Sequence, residues 1–368
     1  MFIEVKTIIN HLEYNVKVFL KLTSKQPRFK KWRLIVNISI MYFYKALIII
    51  VLVLSGFAAA SAQDDVIRID SSIVRLNIGV VDQKGRPIIN LDKGNFTVYE
   101  DGVKQDILRF EPTVAPFSVV MILDMSGSTI PMRQVMKQAA FRFIDALSPD
   151  DRVAVVEFYD KVNLRNDFTT DRRTVANSIS VSEGRGKSQF YKALDFSLNK
   201  LSHEGTRRKA VIVLSDGIDT AVQNADRSSL EKLTDEQVPT AIKPETSEIL
   251  NQVLGKSDAM GVTIYPLALP TGDPAKLADP TPRQVAMYKA ARARLQIVAD
   301  RTGGTLNAIN RLEDMGRIYA SVAADMRALY TIEYQPVNEK RDGKWRAVKI
   351  VTADPELISR TRPGYFAK

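Results

Sequence analysis

Three oxygen-bearing side chains stand at alternate positions in the run Asp124-Met125-Ser126-Gly127-Ser128. A carboxylate and two hydroxyls on one short loop are hard donors, suited to Mg²⁺, with Mn²⁺ or Ca²⁺ as other hard cations. The loop follows the apolar run 117–123 and precedes Met136, Ala139, Ala140, Phe143, Ile144 and Leu147, which recur at helical spacing. It therefore sits where a buried strand ends and a helix begins. Open α/β sheets bind ligands there, and the helix adds free N–H groups and positive potential. A plainer use of the same residues also exists: Ser126 and Ser128 could cap the helix while Asp124 bonds the turn.

Two later segments have the same setting. Gly186-Lys187-Ser188 precedes a helical pattern at 190–201, and Val211-Ile212-Val213-Leu214-Ser215-Asp216-Gly217 is a second apolar strand ending in a carboxylate. Adjacent parallel strands end on one edge of a sheet, so Asp216 can approach Asp124.

The elements that must position these residues alternate in type. Apolar strands at 117–123, 153–158, 210–214 and 262–267 are separated or followed by helices at 132–147, 190–201, 248–260, 286–300 and 312–326. Pro131 falls where a first helical turn tolerates it. Such alternation predicts an α/β fold with a doubly wound, mostly parallel sheet over residues 113–328. Two polar stretches, 219–245 and 270–282, read as long loops. Both flanks are β-like. Val74, Leu76, Ile78 and Val80 alternate with Arg75 and Asn77, and Asp101-Gly102 joins strands at 96–100 and 104–110 as a hairpin. Residues 66–112 thus read as an antiparallel β module. The segment 329–368 reads as a C-terminal hairpin, with Tyr330, Ile332 and Tyr334 on one face of its first strand.

Charge narrows the function. The chain of 368 residues carries a formal +10, but residues 1–62 hold nine basic and two acidic side chains, leaving only +3 for the rest. A nucleic-acid surface on the folded part is not supported. Lys45, the apolar run 46–60 and the small residues Ala60-Ser61-Ala62 make 41–62 a secretory signal, with an uncleaved membrane anchor as the other reading. Residues 1–40 are long and basic for such a leader, so they read either as upstream of a true start at Met41 or as a cytoplasmic extension. The chain has no cysteine, so export brings no disulfide framework. An exported protein of the periplasm or cell envelope is expected, touching a membrane only if the signal is retained.

The Asp124–Ser128 loop, Ser188 after a glycine and the Ser215-Asp216-Gly217 strand end together resemble the metal-ion-dependent adhesion site of von Willebrand factor A domains. The flanks, with Val81-Asp82-Gln83-Lys84-Gly85 and Arg362-Pro363-Gly364-Tyr365, are similar to bacterial exported proteins with a VWFA-related domain, first noted in Acidobacteria. In those chains the β flanks pair into one sandwich-like module around the central domain. The resemblance implies that Ser126 and Ser128 bind the metal directly and Ser188 directly or through water. Asp124 and Asp216 then act largely through water and hydrogen bonds. A Glu or Asp carboxylate of a protein partner takes the open position. It also implies that the last helix, 312–326, can shift on binding. The family usually has Thr where this chain has Ser188, which keeps the oxygen but loses the stiffer branched side chain.

Other chemistries fit less well. His11 lies in the leader and His203 in a polar loop, and neither G-x-S-x-G nor H-E-x-x-H occurs. A hydrolase triad lacks its base, and a non-enzymatic protein is expected. Gly184-Arg185-Gly186-Lys187-Ser188 is no phosphate loop, because Val181 stands where its first glycine belongs. A metal-independent structural role in envelope assembly is the alternative. Cleavage after Ala62 predicts that N-terminal sequencing of the exported protein starts at Gln63; a retained 41–62 segment in the membrane fraction would show an anchor instead.

Overall fold

Among the described residues, the first strand is buried along one face and partly covered on the other. In the computed structural model, which describes residues 73–113, 115–309 and 314–367, β1 (Val74–Val81) buries Val74, Leu76, Ile78 and Val80 on one face. Asn77, on the other, is buried as well. The leader 1–40, the signal 41–62, the start of the β module and residues 310–313 lie outside the described residues. Everything described belongs to one unit spanning 71–368.

The flanks supply β2 (Phe96–Glu100), β3 (Val103–Gln105) and β4 (Ile107–Glu111). The central region runs β5 (Phe117–Asp124), α1 (Arg133–Ala146), β6 (Arg152–Phe158), β7 (Val162–Thr169), α2 (Arg172–Val181) and α3 (Phe190–Ser202). It continues with β8 (Arg208–Ser215), α4 (Thr220–Leu230), α5 (Glu248–Met260), β9 (Thr263–Ala268), α6 (Pro282–Thr302), β10 (Asn307–Ala308) and α7 (Met315–Arg327). The C-terminal flank adds β11 (Leu329–Tyr334), β12 (Trp345–Thr352), β13 (Ile358–Arg360) and β14 (Gly364–Phe366).

The central sheet has the order β10-β9-β8-β5-β6-β7 and is parallel except for the edge strand β7. Every residue of β5 and β8 is buried, as a strand covered by helices on both faces requires. Their side chains alternate between two cores: Val119, Met121 and Leu123 face one, with Met136, Phe143 and Tyr319, and Val120 and Ile122 face the other, with Leu194, Leu254 and Val298. From β5 the chain passes to β6 on one side and later to β8 on the other. That reversal makes the C-terminal edge of β5 a topological switch point.

The flanks form two packed antiparallel sheets, β13-β1-β11-β4 and β14-β12-β2-β3. Their shared core holds Leu76, Ile78, Phe96, Val98, Ile332 and Ile350, with the rings of Phe96, Phe110 and Tyr330 in mutual contact. The sandwich-like module of N- and C-terminal strands is thus present. Its connectivity differs from the two expected hairpins. The run 104–110 breaks at Asp106, so β3 pairs with β2 in one sheet while β4 joins β11 in the other. Likewise β11 and β12 lie in different sheets and do not pair. Strand periodicity is unchanged by a corner between sheets, so the pattern did not reveal it.

The central region also departs from expectation. Within 219–245, read as loop, Asp219 caps α4 by accepting from Ala221 N and Val222 N, and Leu230 and Val238 pack on α6. Within 270–282 there is one short 3-10 turn, Pro274–Lys276. The half-polar β7 and α2 were not anticipated. The helix after the Asp124 loop is preceded by a 3-10 segment, Gly127–Met132, which contains Pro131.

Asn77 ties the sandwich to the central domain. Its amide donates to Gly261 O at 3.1 Å and Thr263 Oγ1 at 2.8 Å, and its Oδ1 accepts from Thr331 Oγ1 at 2.9 Å. Asn77→Ala leaves these partners buried without it and is expected to destabilise by about 1–3 kcal/mol. Urea unfolding checks this, as a lower midpoint at unchanged slope.

Candidate metal centre

The parallel register sets Leu123 of β5 beside Leu214 of β8, so Asp124 comes to lie beside Ser215. Ser215 Oγ donates to Asp124 Oδ2 at 2.6 Å, and Asp124 Oδ1 accepts from Ser126 N at 3.0 Å. One residue further on, Asp216 turns into the same rim. Its Oδ2 accepts from Ser128 Oγ at 2.7 Å, and the hydroxyls of Ser126 and Ser128 are 3.2 Å apart. Four of the five expected residues, Asp124, Ser126, Ser128 and Asp216, are therefore linked through direct contacts and Ser215.

Ser188 arrives from the neighbouring loop. Gly127 N donates to Gly186 O at 3.0 Å, which places the 184–188 loop against the Ser126–Ser128 turn. The Ser188 hydroxyl is not turned to the other oxygens; it donates to Ile218 O at 2.6 Å, while Ser188 N donates to Thr220 Oγ1 at 2.8 Å. Gly186 has φ +91°, and a Cβ there would lie 2.4 Å from the Asp160 carboxylate, which holds Lys187 N at 2.8 Å. A glycine is what lets this loop turn in so closely.

The capping alternative is half realised. Asp124 does bond the turn, but Ser126 and Ser128 form no side-chain cap on the helical segment that follows. Their hydroxyls face the rim instead. Burial separates the roles: Asp124, Ser126, Ser188 and Asp216 are buried, whereas Ser128 is exposed. Burial, together with the nearby negative charge of Asp216, pushes the Asp124 carboxyl up to about 7. Two carboxylates converging away from water are poorly tolerated alone, and a cation between them would relieve the repulsion.

The donor set fits a hard divalent cation. Among the described residues no three His, Cys, Asp or Glu gather into a metal-binding group, so this rim relies on serine hydroxyls with two carboxylates. Such oxygens suit Mg²⁺, Mn²⁺ or Ca²⁺.

Several contributors had escaped the sequence reading. Thr271, in the stretch 270–282, donates to Asp216 Oδ2 at 2.8 Å. Thr129 ties down the turn by donating to Asp124 O at 2.7 Å and Ser126 O at 3.0 Å. Arg133 donates to Met125 O, Ser126 O and Gly184 O at 2.8, 3.1 and 2.6 Å, lacing the two loops together. Thr129 was legible as a hydroxyl one residue past the motif. Thr271 carried no local signal, because only the β8–β9 pairing brings it close. Asp219 is more than a turn residue: besides capping α4 it accepts from Tyr191 N at the start of α3.

A family model for the von Willebrand factor type A domain matches residues 119–218. No curated protein matches the chain by sequence. Similar solved structures include the vWF domain of the type V pili tip protein Mfa5 from Porphyromonas gingivalis, at 15% identity and TM-score 0.41 over 57% of this chain and 94% of that one. A von Willebrand factor type A protein from Catenulispora acidiphila is 13% identical, TM-score 0.43, over 80% of this chain and 63% of that one. Proximal thread matrix protein 1 from the mussel byssus, with a zinc-occupied MIDAS motif, is 14% identical, TM-score 0.41, over 60% of this chain and 47% of that one. This chain thus spans less than two thirds of the last two proteins. Over residues 119–218 the chain thus carries a von Willebrand factor type A domain, and Asp124, Ser126, Ser128, Ser188 and Asp216 all fall within that match.

Proposed function

We propose that Asp124, Ser126, Ser128 and Asp216 hold one divalent cation, Mg²⁺ in the first place, with Ser188 joining through water, and that the chain uses it to bind an Asp or Glu carboxylate of a protein partner. One observation carries this reading. Two buried carboxylates from adjacent strand ends converge on serine hydroxyls, one of which, Ser128, is open to solvent. A metal held largely by neutral hydroxyls supplies an electrophilic site that an incoming carboxylate can complete. The residues of the chain do the positioning. Asp124 fixes the Ser126 backbone, Thr129 and Arg133 hold the loop carbonyls, and Thr271 orients Asp216.

The role is binding and not catalysis. His203, the one histidine among the described residues, caps the C-terminal end of α3 and is exposed. The helix spans 13 residues, which puts that ring about 20 Å from the rim at its other end. Export through the signal at 41–62 would place the protein in the periplasm or cell envelope. Among the described residues no helix is long and apolar enough to cross a membrane.

A second reading, metal-independent envelope assembly, is favoured by one feature. Asp216 Oδ2 is already shared by Ser128 and Thr271, so the rim is partly satisfied by its own hydroxyls. Affinity capture from the exported fraction separates the two. With Mg²⁺ present, wild-type protein should retain a partner that chelator releases and that Asp124→Ala and Ser126→Ala fail to capture. Capture indifferent to chelator and to both substitutions would select the metal-independent role.

Stability should report the same centre. Asp124 ionises in the folded state at about 7 against an ordinary 3.8, so the folded form binds the extra proton between those values. Metal-free protein therefore loses stability as pH rises from about 4 to about 7. Mg²⁺ competes with that proton, so its effect on Tm should be larger at pH 8 than at pH 5. Asp124→Asn should flatten the metal-free pH dependence and remove the Mg²⁺ effect. Thermal unfolding at the two pH values, with and without Mg²⁺, checks both.

A further inference from the structure

Beside the rim, α4, α6 and the 271–277 loop enclose a cavity of about 410 Å³. Its size falls in the range of small-molecule sites. Apolar walls come from Ile218, Val222, Pro274, Leu277 and Met287, with the Tyr288 ring beside them. Arg294 and Asp226 form a buried ion pair on its lining, with both Nη atoms 2.7 Å from the carboxylate oxygens.

The carboxylates of this cavity are engaged by protein donors: Asp226 holds Arg294, Asp219 holds Ala221 N, Val222 N and Tyr191 N, and Asp273 Oδ1 holds Ala275 N. Two donors on the lining are spare. Tyr191 Oη and Arg294 Nε are buried with no hydrogen-bond partner among the described residues. Burial raises the Tyr191 phenol above its ordinary value, so it keeps its proton and can donate. A buried donor without a partner is costly to leave unmet. Three lining carboxylates (Asp219, Asp226 and Asp273) outnumber the two cations, Arg294 and Lys276. The local field therefore disfavours an anion.

We propose that this cavity is a binding site for a small, uncharged, largely apolar or aromatic molecule bearing one acceptor oxygen, which Tyr191 and Arg294 bind. The site is separate from the metal rim, although its wall continues through Gly217 and Ile218 from Asp216.

Acetophenone, ethylbenzene and benzoate supply the test: an aromatic ketone, the same body without oxygen, and an anion of similar size. Methyl NMR titration of the full chain should show saturable shifts at Ile218, Leu277 and Met287 with acetophenone. Ethylbenzene and benzoate should each bind about tenfold more weakly, the scale of one buried hydrogen bond or an unfavourable charge. Tyr191→Phe keeps the cavity shape and should weaken acetophenone about tenfold while leaving ethylbenzene unchanged. Ala291→Trp should fill the space and abolish all binding. If that variant does not fold, Leu277→Trp at the half-exposed edge serves the same end. Acetophenone binding should persist in Ser128→Ala protein with chelator present, so a failure of the metal reading leaves this result intact. No saturable shift, or acetophenone and ethylbenzene binding alike in wild type and Tyr191→Phe, overturns the proposal.

Discussion

The approach of Asp124 to Asp216 is the constraint around which the rest of the molecule is arranged. Two carboxylates, both shut away from bulk water, are brought to one edge because β5 and β8 are parallel neighbours. Left alone, such a pair raises the free energy of the folded state, which is why Asp124 resists ionisation. Surrounding groups answer the charge at short range. Ser126 N and Ser215 Oγ meet Asp124, while Ile218 N, Ser128 Oγ and Thr271 Oγ1 meet Asp216. The remaining electrostatic deficit is what makes a hard cation chemically appropriate here.

That convergence depends on loops held with little freedom. Arg133 spans from the first turn of α1 to carbonyls of two separate loops through its Nη2. Asp219 performs a related task one turn beyond Asp216, joining the starts of α3 and α4. Because it anchors α3, which begins just after Ser188, the strand end of β8 and the Ser188 loop are tied together. The neighbouring cavity shares this framework through Ile218, whose carbonyl accepts from Ser188.

The β sandwich is joined to the central domain by buried polar contacts and not by a flexible linker. Arg208 is buried against the Phe117 ring and donates to Thr113 O and Leu329 O, at the two points where chain passes between the modules. Asp258 on α5 meets both Arg301 and Arg362, and Arg301 lies over Trp345 at 4.1 Å. Buried charges of this kind are costly to separate. The sandwich is therefore part of the same folded body as the central domain, with Asn77 of β1 bonded to Thr331 in the one and Thr263 in the other.

The sequence alone determined which segments are buried strands, because β5 and β8 must be apolar on both faces. It also showed that oxygen donors stand where those strands end. Local pattern placed Asp124, Ser126, Ser128 and Asp216 at strand ends, and a parallel sheet puts such ends on one edge; that β5 and β8 are neighbours was decided by the sheet itself. Local pattern did not suffice for Thr271 or Arg133, whose roles depend on a distant carboxylate and on carbonyls that have no sequence signature. Nor could it show that the Ser188 hydroxyl turns to Ile218 O, since rotamers answer to neighbours in space. The sheet switch at Asp106 and the separation of β11 from β12 were likewise decided in three dimensions, because a strand's alternation is the same whichever sheet receives it. Periodicity records which face is buried; only tertiary packing decides what covers it.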